Sequence, residues 1–192
     1  SSFENKKQIV TSYLDRVQPE TVWDLGANTG IFSRLASQRR IQTVAFDIDP
    51  GAVELNYRQS AAEDEKYLLP LLSDLTNPSP NLGWHNRERS SLAARGPVDM
   101  LFALALVHHL AITNNVPFDH IAGFTADLGD WMIIEFIPKH DPQAQKLLAS
   151  REDIFSDYTL EKFEEAFKAY YRIEDSAAIE NSERILYLMK KI

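Results

Sequence analysis

Three aspartates recur at matching places in the first part of the chain: Asp24 in VWDLG, Asp47 in AFDIDP and Asp74 in LLSDLT. Each ends or follows a short apolar run, so each carboxylate is expected at the C-terminal end of a strand, where α/β sheets bind ligands. Asp24 lies two residues before the turn Gly26-Ala27-Asn28-Thr29-Gly30. That spacing is G-x-N-x-G, whereas a pyrophosphate seat needs G-x-G-x-x-G so that backbone and phosphate can approach closely. Asn tolerates left-handed backbone better than other non-glycine residues, so Asn28 can keep the turn while adding a polar side chain. Acids at three strand ends, with no lysine or arginine placed for phosphate, describe a nucleoside that carries positive charge. S-adenosylmethionine is such a ligand. Asp24 would meet its cation, Asp47 both ribose hydroxyls, and Asp74 the adenine amino group, with the Leu75 amide on a ring nitrogen. Ile48 and Leu75 would flank the base. Taken singly, each acid reads more readily as a solvated loop residue or a cap than as a ligand, and only their joint placement favours a ligand; Asp49, followed by Pro50, reads as a helix N-cap.

A second set of residues could act on an acceptor. His108 and His109 close the run LFALALVHH, and histidine is the side chain best suited to take a proton near neutral pH. The pair equally suits a helix start at the surface. It has no further ligands at metal-site spacing, so no metal is expected. Glu135 sits inside the apolar run DWMIIEFI, where an isolated carboxylate is costly and needs a partner or a function. Trp84, His85, Arg87 and Arg89 lie in the long irregular stretch Asn77 to Pro97, which reads either as a substrate lid or mouth or as a solvated loop.

Positioning these residues requires an ordered sheet. Ile9, Val10, Tyr13, Leu14 and Val17 recur at helical spacing over 4–17, with Pro19 beyond. Strand signals follow at Thr21–Leu25, Thr43–Phe46, Leu68–Leu72, Val98–Phe102 and Asp130–Ile137. Helical ones occupy about Thr29–Gln38, Pro50–Ala62, Pro117–Leu128, Asp141–Ser150 and Thr159–Ala169. Short joints in a β-α-β-α order imply a parallel sheet with helices on both faces. The last strand-like runs, Tyr170–Ile179 and Arg184–Met189, are joined by the polar turn ENSE and predict an antiparallel hairpin. The fold class expected is α/β, a Rossmann-like doubly wound seven-stranded sheet, mostly parallel.

Composition sets outer bounds. With 192 residues and 44% hydrophobic content, one domain over 1–192 is expected, as a whole or as a fragment of a longer chain with further domains. A net charge of −8 removes the global attraction to phosphate that general nucleic-acid binding needs. Cysteine is absent, so disulfides and thiolate chemistry are excluded. There is no apolar run of membrane-spanning length, and SSFENKKQ lacks the plan of a signal peptide, so a cytoplasmic protein without a membrane partner is expected.

VWDLGANTGIFSRLA, VAFDIDPGAVELN, LLSDLTN and VDMLFALALVHHL resemble, in order, the successive motifs of the class I S-adenosylmethionine-dependent methyltransferases. The closing hairpin fits that resemblance, since the family's sheet ends in an antiparallel strand that a dinucleotide dehydrogenase lacks. LALVHHLAITNNVPF, WMIIEFIPKHDPQAQKLL and REDIFSDYTLEKFEEAF are similar to a bacterial group of methyltransferase-like proteins that includes nodulation-associated ones. The resemblance implies S-adenosyl-L-methionine as cofactor, held by Asp24, Gly26, Ala27, Asn28, Gly30, Asp47, Ile48, Asp74, Leu75 and Ala103. It implies methyl transfer to a small or medium-sized acceptor, with His108, His109 and Glu135 as the catalytic candidates. Family members that methylate amino groups of bases or glutamine carry Asn or Asp followed by prolines at the end of the fourth strand. This chain has Ala103, Leu104 and Ala105 there, which favours an oxygen acceptor. The competing expectation is a non-catalytic module that holds cofactor or a partner protein on the same fold.

Overall fold

A computed structural model describes residues 1–149 and 151–192. Helix α1 (Ser2–Val17) turns Lys6, Val10, Tyr13 and Leu14 inward and ends at Gln18, whose left-handed backbone precedes Pro19. Strand β1 (Thr21–Leu25) follows, then α2 (Ser33–Ser37), β2 (Gln42–Asp47), α3 (Pro50–Ala62) and β3 (Leu68–Leu72). The remainder is β4 (Val98–Ala103), α4 (Phe118–Leu128), β5 (Gly129–Phe136), α5 (Pro142–Leu148), α6 (Leu160–Lys168), β6 (Tyr171–Ala178) and β7 (Ile185–Lys191).

The strands form one seven-stranded sheet in the order β3-β2-β1-β4-β5-β7-β6. Pairings from β3 across to β5 are parallel, and β7 runs antiparallel to both β5 and β6. The expected mixed sheet with a terminal hairpin is therefore present, and β7 rather than β6 is the strand that joins the hairpin to the sheet. Because β1 pairs with β2 on one side and β4 on the other, the chain reverses its direction of winding at β1. A crevice opens outside the strand ends at such a switch point.

Two apolar layers cover the sheet. One joins Trp23, Leu25, Phe46 and Leu101 to α4 and α6 through Ile121, Phe163 and Phe167. The other joins Val22, Phe102 and Ile133 to α1 and α2 through Val10, Leu14 and Ala36. Pro70 lies within β3 at no cost to the interior ladder, because β3 is an edge strand.

Most expected boundaries agree within a residue or two, and one helix departs further. The segment expected as helical from Thr29 begins its helix only at Ser33, because Asn28 and Gly30 take φ of +49° and +79°, outside the helical region. Asp141 and Thr159 prove to be N-caps of α5 and α6, their side chains accepting hydrogen bonds from Gln143 and Lys162 amides. The Ser150 end expected for the fifth helix lies outside the described residues.

Candidate functional site

At the end of β1 the Asp24 carboxylate is buried and accepts a 2.6 Å hydrogen bond from the Ser33 hydroxyl at the start of α2. Burial pushes it up to about 6, while the Ser33 hydrogen bond and the Lys6 charge pull it down. The turn beyond it folds tightly. The amides of Gly26 and Ala27 both donate to the Phe46 carbonyl at 2.9 Å. Gly30 is needed twice over, since its φ is +79° and a Cβ there would meet the buried Asn56 side chain at 2.5 Å.

Asp47 ties this turn to the end of β2. Its Oδ2 accepts from the Asn28 amide at 2.7 Å and its Oδ1 from the Asp49 amide at 2.9 Å. Asp49 caps α3 by accepting from the Gly51 amide at 2.8 Å, with Pro50 beginning the helix. Ile48 beside it is 64% exposed. Beyond β3, Oδ1 of Asp74 accepts from the Thr76 amide and hydroxyl, and these bonds hold its carboxyl below the usual range. Leu75 beside it packs half-buried against the core. The three acids thus border the C-terminal ends of adjacent strands β1, β2 and β3, and Ala103 lies buried at the end of β4.

Past Ala103 the chain passes through Ala105 at φ +51° and enters a π-helical turn, His109–Thr113. Such turns are rare and recur at functional sites. The rings of His108 and His109 lie 4.2 Å apart between centroids. His108 is 2% exposed, its Nδ1 has no hydrogen-bond partner, and burial, then the neighbouring His109 and Arg184 charges, push it down to about 3. His109 lies at the surface, lowered by partial desolvation and drawn the other way by Asp47. The sequence pair is therefore split into one interior and one solvent-facing imidazole.

Glu135 is fully buried and already engaged. Its Oε2 accepts from Lys6 Nζ at 2.6 Å and from the Ala105 amide at 2.7 Å. The Lys6 ammonium also sits over the Phe32 ring, 4.6 Å from its centroid. On the other side, Nη1 of Arg184 lies 3.6 Å from Oε1, while the Arg184 guanidinium makes a two-point contact with Asp141 at 2.8 and 2.9 Å. Glu135 Oε1 itself makes no hydrogen bond. Lys6, Asp141 and Arg184 were not among the residues expected at the site. Lys6 did leave a trace in the sequence, since it occupies the same helical face as Val10, Tyr13 and Leu14, where an apolar residue belongs.

The long segment 77–97 is less irregular than expected. Leu82 and Arg89 form an antiparallel bridge, and Gly83, His85 and Asn86 turn between them with positive φ. Trp84 at the tip is 85% exposed, and His85, Arg87 and Arg89 are exposed with it, so these side chains line no enclosed mouth. Among the described residues no three His, Asp or Glu side chains gather as a metal site, and no helix is long and apolar enough to cross a membrane.

Comparison with known proteins adds three findings. No family profile matches the chain. Over 188 residues, 97% of the chain, it is 39% identical to the nodulation protein NoeA of Rhizobium meliloti (strain 1021), of which it spans 39% of the length. Its fold matches the methyltransferase domain of bacterial CtHen1-C with a TM-score of 0.68 at 14% identity, covering 100% of this chain and 99% of that one. The 16S rRNA methylase RmtB matches with a TM-score of 0.61 at 17% identity, over 97% of this chain and 64% of that one.

Proposed function

Starting from a chain that is class I methyltransferase-like in fold, we propose that it transfers the methyl group of S-adenosylmethionine to a small or medium-sized acceptor, with oxygen favoured over nitrogen. The observation that carries this reading is the row of acids at the ends of β1, β2 and β3 around the left-handed Asn28 turn. A nucleoside with a cationic tail fits that donor set. Asp47 has a second lone pair on each oxygen for ribose hydroxyls, the Asp74 carboxylate suits an exocyclic amine, and the buried Asp24 offers charge to a cation. Gly26 lets the turn take its φ of +79° and pack closely on Leu106, which a Cβ there would meet at 3.1 Å. When bound, the cofactor supplies both the electrophilic methyl and its leaving group, so the protein's share is alignment and, for a protonated nucleophile, a base.

His109 is the better base. It is at the surface beside the crevice, whereas His108, held near a pKa of about 3, has little affinity for a proton at neutral pH. Glu135 holds the Ala105 amide and thereby the backbone leading to both histidines, so its role is to position rather than to exchange protons. The alternative, a binding module without turnover, draws support from that same commitment of Glu135 to Lys6 and Ala105, which leaves His109 as the base among the three catalytic candidates. Calorimetry with S-adenosylhomocysteine and with NAD tests the cofactor reading: heat of binding with the former and none with the latter is expected, and the reverse pattern would overturn it.

A further inference from the structure

A cavity of about 530 Å³ lies away from the acidic crevice, between the π-helical turn, the start of α4, the segment before α6 and the first turns of α6. None of Asp24, Asp47 or Asp74 lines it. Its volume falls in the range of small-molecule sites, commonly about 300–1,000 Å³. The walls are apolar and aromatic: Phe118 and Tyr158 with ring centroids 5.2 Å apart, Phe155, Val116 and Ala166. The Tyr158 hydroxyl is spent on the Ile137 carbonyl at 2.8 Å, so the ring and not the hydroxyl is offered to the cavity. Ile154 at the edge is 63% exposed, a large apolar side chain with nothing over it.

This wall is built by polar anchors that leave the cavity's surface free. Arg151 donates to the carbonyls of Ile112 and Thr113 and to Asn115 Oδ1, and Lys139 bonds the Phe155 carbonyl and pairs with Asp153. The segment carrying Ile154 to Tyr158 is thereby pinned across the π-helical turn without filling the space beneath it. The Arg151 guanidinium already lies 5.1 Å from the Phe155 centroid, so one ring of this wall has a cation on its face.

Charge at the rim is acidic on balance. Asp119, Asp157 and Glu165 border the cavity against Lys162, which is paired with Glu165 at 2.7 Å, and against Arg151 on the Phe155 ring. Asp119 has the exposed His120 at 3.9 Å, and Asp157, without a direct ion pair among the described residues, lies close enough to Lys162 to add, after Glu165, to the rise of its pKa. Aromatic faces below an acidic rim attract positive charge from two directions, through the ring quadrupole and through the carboxylates. An anion of the same size would be repelled by both, and a neutral hydrocarbon would gain from neither. We propose that this cavity is a second binding site, for a small organic cation with an apolar body, such as a substituted or quaternary amine. The site does not depend on methyl transfer, because it shares no residue with the crevice.

Benzyltrimethylammonium, benzyl alcohol and benzenesulfonate, titrated by calorimetry or ligand-observed NMR, test this. The ammonium should bind at one site per chain, at least tenfold more tightly than the sulfonate, with the alcohol between them. Ala166→Trp, on the half-buried wall of α6, should lower the ammonium's affinity at least tenfold. Asp157→Asn, on an exposed segment, should lower it roughly threefold, as expected for one exposed charge contact. Asp24→Asn should leave the titration unchanged. Equal affinity for ammonium and sulfonate would overturn the proposal. So would an ammonium titration that survives both cavity variants, or one that Asp24→Asn abolishes, since the cation would then be in the crevice. Should Ala166→Trp melt early, Asp157→Asn decides alone.

Discussion

The ends of β1 to β3 and the ends of β4 and β5 face the same side of the sheet yet are assembled in opposite ways. Around the crevice the polar groups satisfy one another locally: Asp47 accepts from amides 19 and 2 residues away, and Asp74 from Thr76 two residues on. At the β4–β5 end, Lys6 reaches Glu135 across 129 residues and Arg184 reaches Asp141 across 43. The local set leaves lone pairs facing solvent, ready for a ligand. The distant set is closed upon itself and fixes the backbone that carries the histidines. Ligand capacity and structural commitment are thus divided between two halves of one sheet edge.

The largest effect is expected on turnover. His109→Gln should slow methyl transfer by roughly 10²- to 10⁴-fold, the range of a positioned general base, with S-adenosylhomocysteine affinity nearly unchanged. The rate of the parent should also fall as pH drops through the His109 pKa, which lies below its ordinary value. Single-turnover assays against an acceptor panel read both, and an unchanged rate would remove His109 from the mechanism.

Glu135→Ala should come next, with a loss of about 3 kcal/mol in urea-unfolding free energy, because it strands the Lys6 ammonium and the Ala105 amide in the interior. A loss under about 1 kcal/mol would mean that the two regions do not differ as described.

The pH dependence of stability sharpens the comparison further, since one buried group in each region pulls in its own direction. Asp24 is raised, from 3.8 to about 6, so its contribution is favourable below pH 4 and is lost as pH rises towards 6. His108 is lowered, from 6.5 to about 3, so its contribution is present above pH 6.5 and is lost as pH falls towards 3. Over the shared window the two slopes oppose. Asp24→Asn should therefore gain stability relative to the parent as pH rises from 4 to 6, by up to roughly 3 kcal/mol, and His108→Gln should gain as pH falls from 6.5 towards 3, by up to roughly 5 kcal/mol. Urea titrations at stepped pH read the slopes, and parallel curves for parent and variants would contradict both assignments.

The smallest pair lies inside the crevice. Asp47→Ala should weaken S-adenosylhomocysteine at least tenfold, about 1.4 kcal/mol, and lower stability as well, since Asn28 and Asp49 amides lose their acceptor. Asp49→Ala should cost about 1 kcal/mol of stability as a lost N-cap and leave affinity almost intact. If Asp49→Ala proves the stronger binding defect, the ribose contact belongs to Asp49.

Much of the local half was legible in the residues. The G-x-N-x-G turn, the Asp49-Pro50 cap, the strand ends bearing Asp24, Asp47 and Asp74, and the terminal hairpin all follow from short-range rules of backbone conformation and period. Sequence alone thus determined the element order, the mixed sheet and the acidic row. Tertiary structure alone decided that β7 inserts between β5 and β6, that Glu135 is answered by Lys6, and that one histidine is buried while its neighbour is exposed. The reason is physical: a turn or a cap is stabilised by atoms a few residues apart. The partner of a buried charge, by contrast, is set by which distant elements the sheet and its covering helices bring within hydrogen-bond reach, and spacing along the chain does not encode that.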